Sequence, residues 1–331
     1  MKQTFRYYPL RFLILCLFLP AVSLCACAHS AGPVSRQGFY FDTVIRITIY
    51  DRGEEALLDH CFALAETYEA MFSKTKENSD VWKLNHADGG MVELHEDTLE
   101  LLRTALSYAE LTDGKVDPTI GSVNRLWDFT HPDSAVLPDS AALTQALSHV
   151  DYRSVTISGS MAALNDPYAE LDLGFIAKGY IADRIKEYLV SQGVTSALIN
   201  LGGNVLTIGN KPDGSPFKVG IQKPFAADGV TAYTLPVTDQ SVVSSGTYER
   251  YFEKGGRIYH HILDTKTGYP VWNNLSEVTI LCDSSTQGDA LSTTCFILGA
   301  EKGMELIESL PDTEAVFITS DGEILRSGGL N

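Results

Sequence analysis

The chain has 331 residues, 44% of them hydrophobic and 20% charged, the composition of a globular protein with room for a sizeable core. Its 42 acidic residues outnumber the 25 basic ones, and the net charge of −17 repels phosphate backbones. No basic stripe interrupts that excess, which excludes nucleic-acid binding as the main role.

In chain order, Lys2, Arg6 and Arg11 precede an apolar run from Phe12 to Leu24 that ends in small residues, the pattern of an export signal. The run is about 13 residues, short of the roughly 20 that a spanning helix needs. Leu24-Cys25-Ala26-Cys27 resembles the lipobox of bacterial lipoproteins, and Cys27 suits acylation better than Cys25, which follows a bulky leucine. The expectation is a signal peptide over 1–26, a small polar lipidated tether over 27–37 and a globular domain over 38–331. Acyl chains on Cys27 would hold the protein at the cell membrane, on its extracytoplasmic or periplasmic side. Secretion with soluble release is the alternative. Removing residues 1–26 takes three basic residues and no acidic one, deepening the net charge from −17 to about −20.

"YFDTVIRITIYD" alternates apolar and polar residues and predicts a half-buried strand. "EEALLDHCFALAETYEAMF" has helical spacing with two acids in its first turn, and 97–111 predicts a second helix with Asp97 as N-cap. Residues 139–149 predict a short helix. From about residue 150 strands joined by glycine turns take over, among them "SVTISG", "AELDLG", "SALINLGG", "FKVGIQ", "SVVSSG", "YHHILD" and "EVTILC". Helices near 175–191 and 288–299 interrupt them. Hairpins outnumber crossovers, so the predicted class is α+β, with largely antiparallel sheets and flanking helices. Cys61, Cys282 and Cys295 sit among apolar neighbours and read as buried small hydrophobes; a Cys282–Cys295 bridge stays open.

Three segments carry chemistry. In "DLGFIAKGYIADRI" a helix starts after Gly174 with Lys178 in its first turn, so free N–H groups, a dipole and an ammonium face one place, as a phosphate requires. Asp172 points to the same side and can accept from a ligand donor. The plainer alternative is a solvated Lys178 and a helix-capping Asp172. In "QGDALSTTCFILG" Asp289 and Thr293 are four apart on a helix, hard oxygen groups of the kind magnesium prefers. An N-cap aspartate beside a surface threonine is the alternative. Residues 244–270 read as a glycine-punctuated hairpin with His260 and His261 at the start of a strand. Neighbours on a strand face opposite ways, so only one of them can serve a cleft as general base.

With "FDTVIRITIY", "FSKTKENSDVWKLN" and "DGKVDPTIGSVNRLWDF", these segments resemble in order the motifs of the FAD:protein FMN transferase family, the ApbE-like proteins, over about residues 38–300. The resemblance implies two subdomains with an FAD cleft between them. It implies Mg²⁺ held by the Phe175 carbonyl, Asp289 and Thr293, and FAD contacts at Phe41, Thr75, Lys115, Val116, Asp117, Asp172, Lys178 and Ile262. His261 corresponds to the catalytic histidine. The implied reaction moves FMN from FAD to a threonine hydroxyl of an acceptor redox flavoprotein of the membrane or cell envelope, releasing AMP. Departures from the family pattern are Phe41-Asp42 for methionine-glycine, Thr75 for an aromatic residue and Phe175 for a small one, with milder ones at Val116, Thr247 and Thr265. An Mg²⁺-dependent FAD pyrophosphatase and a non-catalytic FAD-binding carrier are the competing readings.

Overall fold

The computed structural model describes residue 1 and residues 32–330. The expected signal and Cys27 lie outside the described residues. Strand β1 (Val34–Tyr40) already occupies the end of the span expected as a tether, and it pairs along its full length with β2 (Thr43–Ile49). The alternation in β2 sends Ile45, Ile47 and Ile49 into the core with no exposure. Phe41 and Asp42 join the two strands with φ of 55° each, as a two-residue hairpin turn of the type I′ kind demands.

Helices α1 (Glu55–Phe72), α2 (Asp80–Asn85) and α3 (Glu96–Leu111) follow, with β3 (Val92–Glu93) between the last two. His95 occupies the N-cap position of α3, two residues earlier than expected, and Asp97 instead accepts the Tyr180 hydroxyl at 2.7 Å. Then come α4 (Gly121–Asn124), α5 (Ser140–Leu147) capped by Asp139, β4 (Val155–Ser158), β5 (Met161–Leu164) and α6 (Ala177–Ser191). The second half supplies β6 (Ala197–Leu201), β7 (Asn204–Ile208), β8 (Phe217–Gln222), β9 (Thr231–Val237), β10 (Ser241–Gly246), β11 (Tyr251–Lys254), β12 (Arg257–His260) and β13 (Leu275–Cys282). Helices α7 (Ser285–Leu298) and α8 (Ala300–Glu308) and strands β14 (Glu314–Thr319) and β15 (Ile324–Arg326) close the chain.

One eight-stranded sheet runs β1-β2-β6-β7-β10-β13-β14-β15, and three smaller sheets pair β11 with β12, β8 with β9, and β3, β5 and β4. Every pairing between these strands is antiparallel, so the α+β expectation holds. Residues 31–331 form one compact unit. "AELDLG" is not a strand either. Its backbone is spent on a neighbouring loop: Gly121 N–H donates to the Glu170 carbonyl at 2.9 Å and Asp172 N–H to the Pro118 carbonyl at 2.7 Å. The three cysteines of the body are buried and free, and burial pushes each thiol up to about 12. Among the described residues no helix is long and apolar enough to cross a membrane.

Candidate active site

The site grows from the junction of α6 and α7, which cap each other. Asp183, on α6, accepts the first N–H groups of α7, from Ser285 at 2.8 Å and Thr286 at 2.9 Å. Asp289, on α7, returns the contact by accepting Gly179 N–H at 2.8 Å. That N–H is one of the first-turn donors that no carbonyl within the helix can satisfy, the first helical bond running from Tyr180 N–H to the Ile176 carbonyl at 3.3 Å. Phe175 lies just before the N-cap Ile176, and no backbone amide of the described loops and caps donates to its carbonyl. Gly179 permits the approach: a Cβ there would meet the Ser285 carbonyl oxygen at 2.2 Å and the Thr286 Cα at 2.7 Å. The N-cap of α7 is Ser284, so Asp289 is not the cap of its own helix.

Asp289 is 3% exposed, and burial pushes its carboxyl up against the pull of Lys178 and the Gly179 amide. One helical turn on, Thr293 is half-buried while Ser292 and Thr294 beside it are fully buried, so it is the hydroxyl of that turn that reaches the site. Its Oγ1 lies 3.2 Å from the Ser245 hydroxyl at the end of β10. The Phe175 carbonyl, the Asp289 carboxylate and the Thr293 hydroxyl are hard oxygen donors of the kind that fits magnesium. Among the described residues no cluster of three His, Cys, Asp or Glu offers a softer site.

Lys178 is half-buried, and its charge acts on Asp289, Glu249 and His261, so these four lie near one another. Glu249 is open to water yet surrounded by the cleft walls, and desolvation pushes its carboxyl up to about 7 against Lys178 and Arg250. His261 follows the last residue of β12 instead of opening a strand, and its N–H donates to the Arg250 carbonyl at 3.1 Å. Desolvation, then Arg250, His260 and Lys178, pull its imidazole down to about 3, so it is neutral and able to accept a proton. Its Nδ1 is buried without a partner. His260 points away, with Nε2 3.1 Å from the Val271 carbonyl, as the strand alternation requires.

Asp172 holds a second cluster. Its Oδ2 meets Lys74 Nζ at 2.5 Å and accepts from Asn124 Nδ2 at 2.8 Å, while Oδ1 accepts Gly174 N–H at 2.9 Å. Burial raises this carboxyl, but Lys74 and these donors outweigh it and hold it below its ordinary value. Thr75 is exposed beside Lys74, its hydroxyl 3.2 Å from Ser73. The 115–117 loop joins the cluster through Pro118, and the loop after His261 is tied to it by the Thr265 hydroxyl on the Gly114 carbonyl at 2.8 Å. Lys115 is half-buried and Val116 buried.

Two expected contacts have side chains otherwise engaged. Both Asp117 oxygens are taken, by the Thr119 hydroxyl and amide and by Tyr152 N–H at 2.8 Å, and Ile262 is 4% exposed within the core around Phe296. Only their backbones remain for a ligand. Phe41 is pinned by Glu69, which accepts its N–H at 2.7 Å, and by Arg250, which donates to its carbonyl at 3.3 Å. Sequence reasoning missed Lys74, Asn124, Glu249 and Arg250. The charges of "TYER" directly after a buried strand are a usable signal for the last two, whereas nothing local marks Lys74.

The family model described as the ApbE family matches residues 41–317. A curated FAD:protein FMN transferase of Treponema pallidum is 33% identical over 350 residues, covering 100% of this chain and 96% of the relative. One from Klebsiella pneumoniae is 38% identical over 277 residues, covering 83% and 85%. The crystal structure of the ApbE protein of Thermotoga maritima superposes with a TM-score of 0.82 at 31% identity, covering 90% of this chain and 98% of that one. The flavin transferase ApbE of Vibrio cholerae gives 0.80 at 27% identity, with the same coverage.

Proposed function

The chain belongs to the ApbE family, and from that membership we propose an Mg²⁺-dependent transfer of FMN from FAD to a threonine hydroxyl of an acceptor protein, with release of AMP. The transfer of FMN from FAD to protein is the activity for which its relatives are named, and it makes the chain an enzyme. A carrier without chemistry is thereby set aside. The metal, the threonine and the roles of single residues are our reading of the cleft.

The observation that carries it is the buried Asp289 carboxylate seated on the Gly179 amide in the first turn of α6, within reach of the charge of Lys178. Phe175, Asp289 and Thr293 would hold Mg²⁺, which would neutralise charge on the phosphate oxygens. Lys178 orients the diphosphate of FAD from the first turn of α6, where the helix dipole also favours an anion. The acceptor oxygen attacks the phosphorus of the FMN half, the bond from that phosphorus to the bridging oxygen breaks, and AMP leaves with that oxygen. The hydroxyl proton passes to His261. An anionic diphosphate beside Lys178 and Arg250 opposes the two charges that depress His261, so substrate binding makes the base stronger.

We further propose that the chain works outside the cytoplasmic membrane, anchored by a lipid on Cys27, on redox flavoproteins of the cell envelope; the basic, apolar and small-residue order of 1–27 supports this. Incubation with FAD, Mg²⁺ and a candidate acceptor, followed by acceptor mass and free AMP, tests the chemistry. A gain of one FMN on the acceptor is expected. AMP without a mass gain would make the enzyme a pyrophosphatase. Asp289→Ala is expected to abolish both signals, and undiminished turnover would reject the proposed metal site.

A further inference from the structure

The two edges of the eight-stranded sheet differ. Three residues of β15 form one edge, whereas β1 forms the other with seven, paired to β2 in a single register without a bulge. The two-residue turn at 41–42 makes Tyr40 and Thr43 a hydrogen-bonded pair, so residues 34, 36, 38 and 40 spend their backbone groups on β2. Ser35, Gln37 and Phe39 therefore aim their N–H and C=O groups outward, and among the described residues no hydrogen bond reaches those groups. Natural proteins usually blunt such an edge with lysine, proline or a bulge. Here the one charge on the strand, Arg36, is drawn aside onto α1 by Asp59 at 2.6 Å and Glu55 at 3.0 Å. Phe39, 70% exposed, stands opposite Val44, 57% exposed, as an apolar pair next to the turn. That end of β1 belongs to the rim of the reaction centre. The 41–42 turn, the 202–203 turn between β6 and β7 and the end of β10 all lie at one end of the sheet. Thr43 packs on Gly202, Arg250 donates to the Phe41 carbonyl at 3.3 Å, and the Arg250 carbonyl in turn takes the His261 N–H.

We propose that β1 is the docking strand for the acceptor protein: an extended acceptor segment adds to its free edge, sets an apolar side chain on Phe39 and Val44, and carries its hydroxyl past the 41–42 turn to His261. The inference rests on the transfer reading above. The occupant follows from where the edge ends, since the reaction brings a protein chain to this rim in every cycle, and a flavin nucleotide has no backbone to pair with a strand. In such an addition main-chain bonds supply affinity and alternate side chains supply selectivity. Every second residue of the added strand would face the side of the sheet that carries Phe39 and Val44, so selectivity is expected for an apolar or aromatic residue there. Four strand spacings of about 4.8 Å separate β1 from β10, which sets the reacting hydroxyl several residues beyond the paired stretch.

The test uses the full chain and a library of fluorescent peptides of about 16 residues, long enough to pair with β1 and still reach β10. Each carries one threonine and is measured for binding and, with FAD and Mg²⁺, for FMN incorporation. Gln37→Pro removes an outward N–H and blocks pairing while every bond between β1 and β2 stays in place. Phe39→Ser removes only an exposed ring. The peptides selected by the unaltered chain are expected to bind either variant at least about tenfold more weakly, with FAD affinity unchanged within about twofold. In the unaltered chain they are expected to slow hydrogen exchange at the amides of Ser35, Gln37 and Phe39. Equal binding by either variant, unchanged exchange at those amides, a parallel loss of FAD affinity, or no binding of any library member would overturn the proposal. A dimer of the unaltered chain that Gln37→Pro dissolves and that peptides do not displace would place a second copy on the edge and overturn it likewise. Peptides that protect the strand yet never gain FMN would uphold the docking strand and overturn the transfer reading instead.

Discussion

The two sides of the cleft are built on opposite plans. At the α6–α7 junction small residues and backbone groups meet without slack: Gly179 lies against the Ser285 carbonyl, and each helix is capped by a carboxylate of the other. Across the cleft, the wall from Tyr248 to His261 is made of large polar side chains with spare valences, including the unpartnered Nδ1 atoms of His260 and His261 and the unpartnered Oε2 of Glu277 beneath it. One side is defined by shape and the other by titration. Substitutions on the first should act through geometry and be insensitive to pH, and those on the second should act through charge.

After the loss of all product expected of Asp289→Ala, the largest effect falls on the wall. His261→Ala should slow transfer by about 10²–10⁴-fold while FAD still binds, checked by AMP release and by equilibrium binding of FAD. Unchanged transfer would remove the base from this side and leave only packing there. At the junction, Gly179→Ala sets a Cβ 2.2 Å from a backbone oxygen that cannot rotate away. Helix propensity alone would make this change favourable. Overpacking should instead cost about 1–3 kcal/mol in unfolding measurements, and displacement of Asp289 should cost at least about 10²-fold in rate. A variant with ordinary stability and rate would mean that the junction is not shape-limited. Lys74→Met should have a smaller effect, about tenfold or less in FAD affinity, because Asp172 keeps Asn124 and the Gly174 amide. A loss of FAD affinity well beyond about tenfold would shift the electrostatic weight of the site to the Asp172 cluster.

The two sides also differed in how legible they were. Periodicity located α1, α6, α7 and most strands because each buries a regular face: Ile45, Ile47 and Ile49 alternate, and Leu57, Leu58, Cys61, Phe62 and Ala65 follow a helical stripe. Lys178, Asp289 and Thr293 were legible for the same reason, since helical spacing fixes which residues share a turn. Local pattern failed where partners come from far along the chain. "AELDLG" alternates like a strand, but its amides and carbonyls go to the 118–121 loop, and Lys74 reaches Asp172 across 98 positions. Asp97 looks like a cap until the Tyr180 hydroxyl, 83 residues away, claims it. The wall was hardest to read because its character depends on burial, and nothing in "TYER" or "YHH" states how much water each group keeps.

Glu277 offers the most delicate separation of the two sides. It sits on β13 opposite Gly246 of β10, fully buried, with Tyr248 and Glu249 above it and Ser244 and Thr279 beside it. Burial pushes its carboxyl from an ordinary 4.5 up to about 7, aided by Glu249 and opposed by hydrogen bonds from Tyr248, Ser244 and Thr279. Because the folded state binds this proton more tightly than the unfolded chain, the associated stability is complete below about pH 4.5 and is lost as pH rises through 7. The upper limit of that loss is about 3 kcal/mol. His260, depressed to about 4 by burial, acts in the opposite sense: stability rises with pH between about 4 and 6.5, where the unfolded chain holds the extra proton. The two slopes oppose each other below pH 6.5, so the carboxylate shows most clearly between pH 6.5 and 8. Urea unfolding at those two pH values should find the unaltered protein weakening with pH more steeply than Glu277→Gln, which retains the raised Glu249 carboxyl. Parallel behaviour of the two would mean that the proton taken up by the wall resides elsewhere, with Glu249 the next carboxylate to examine.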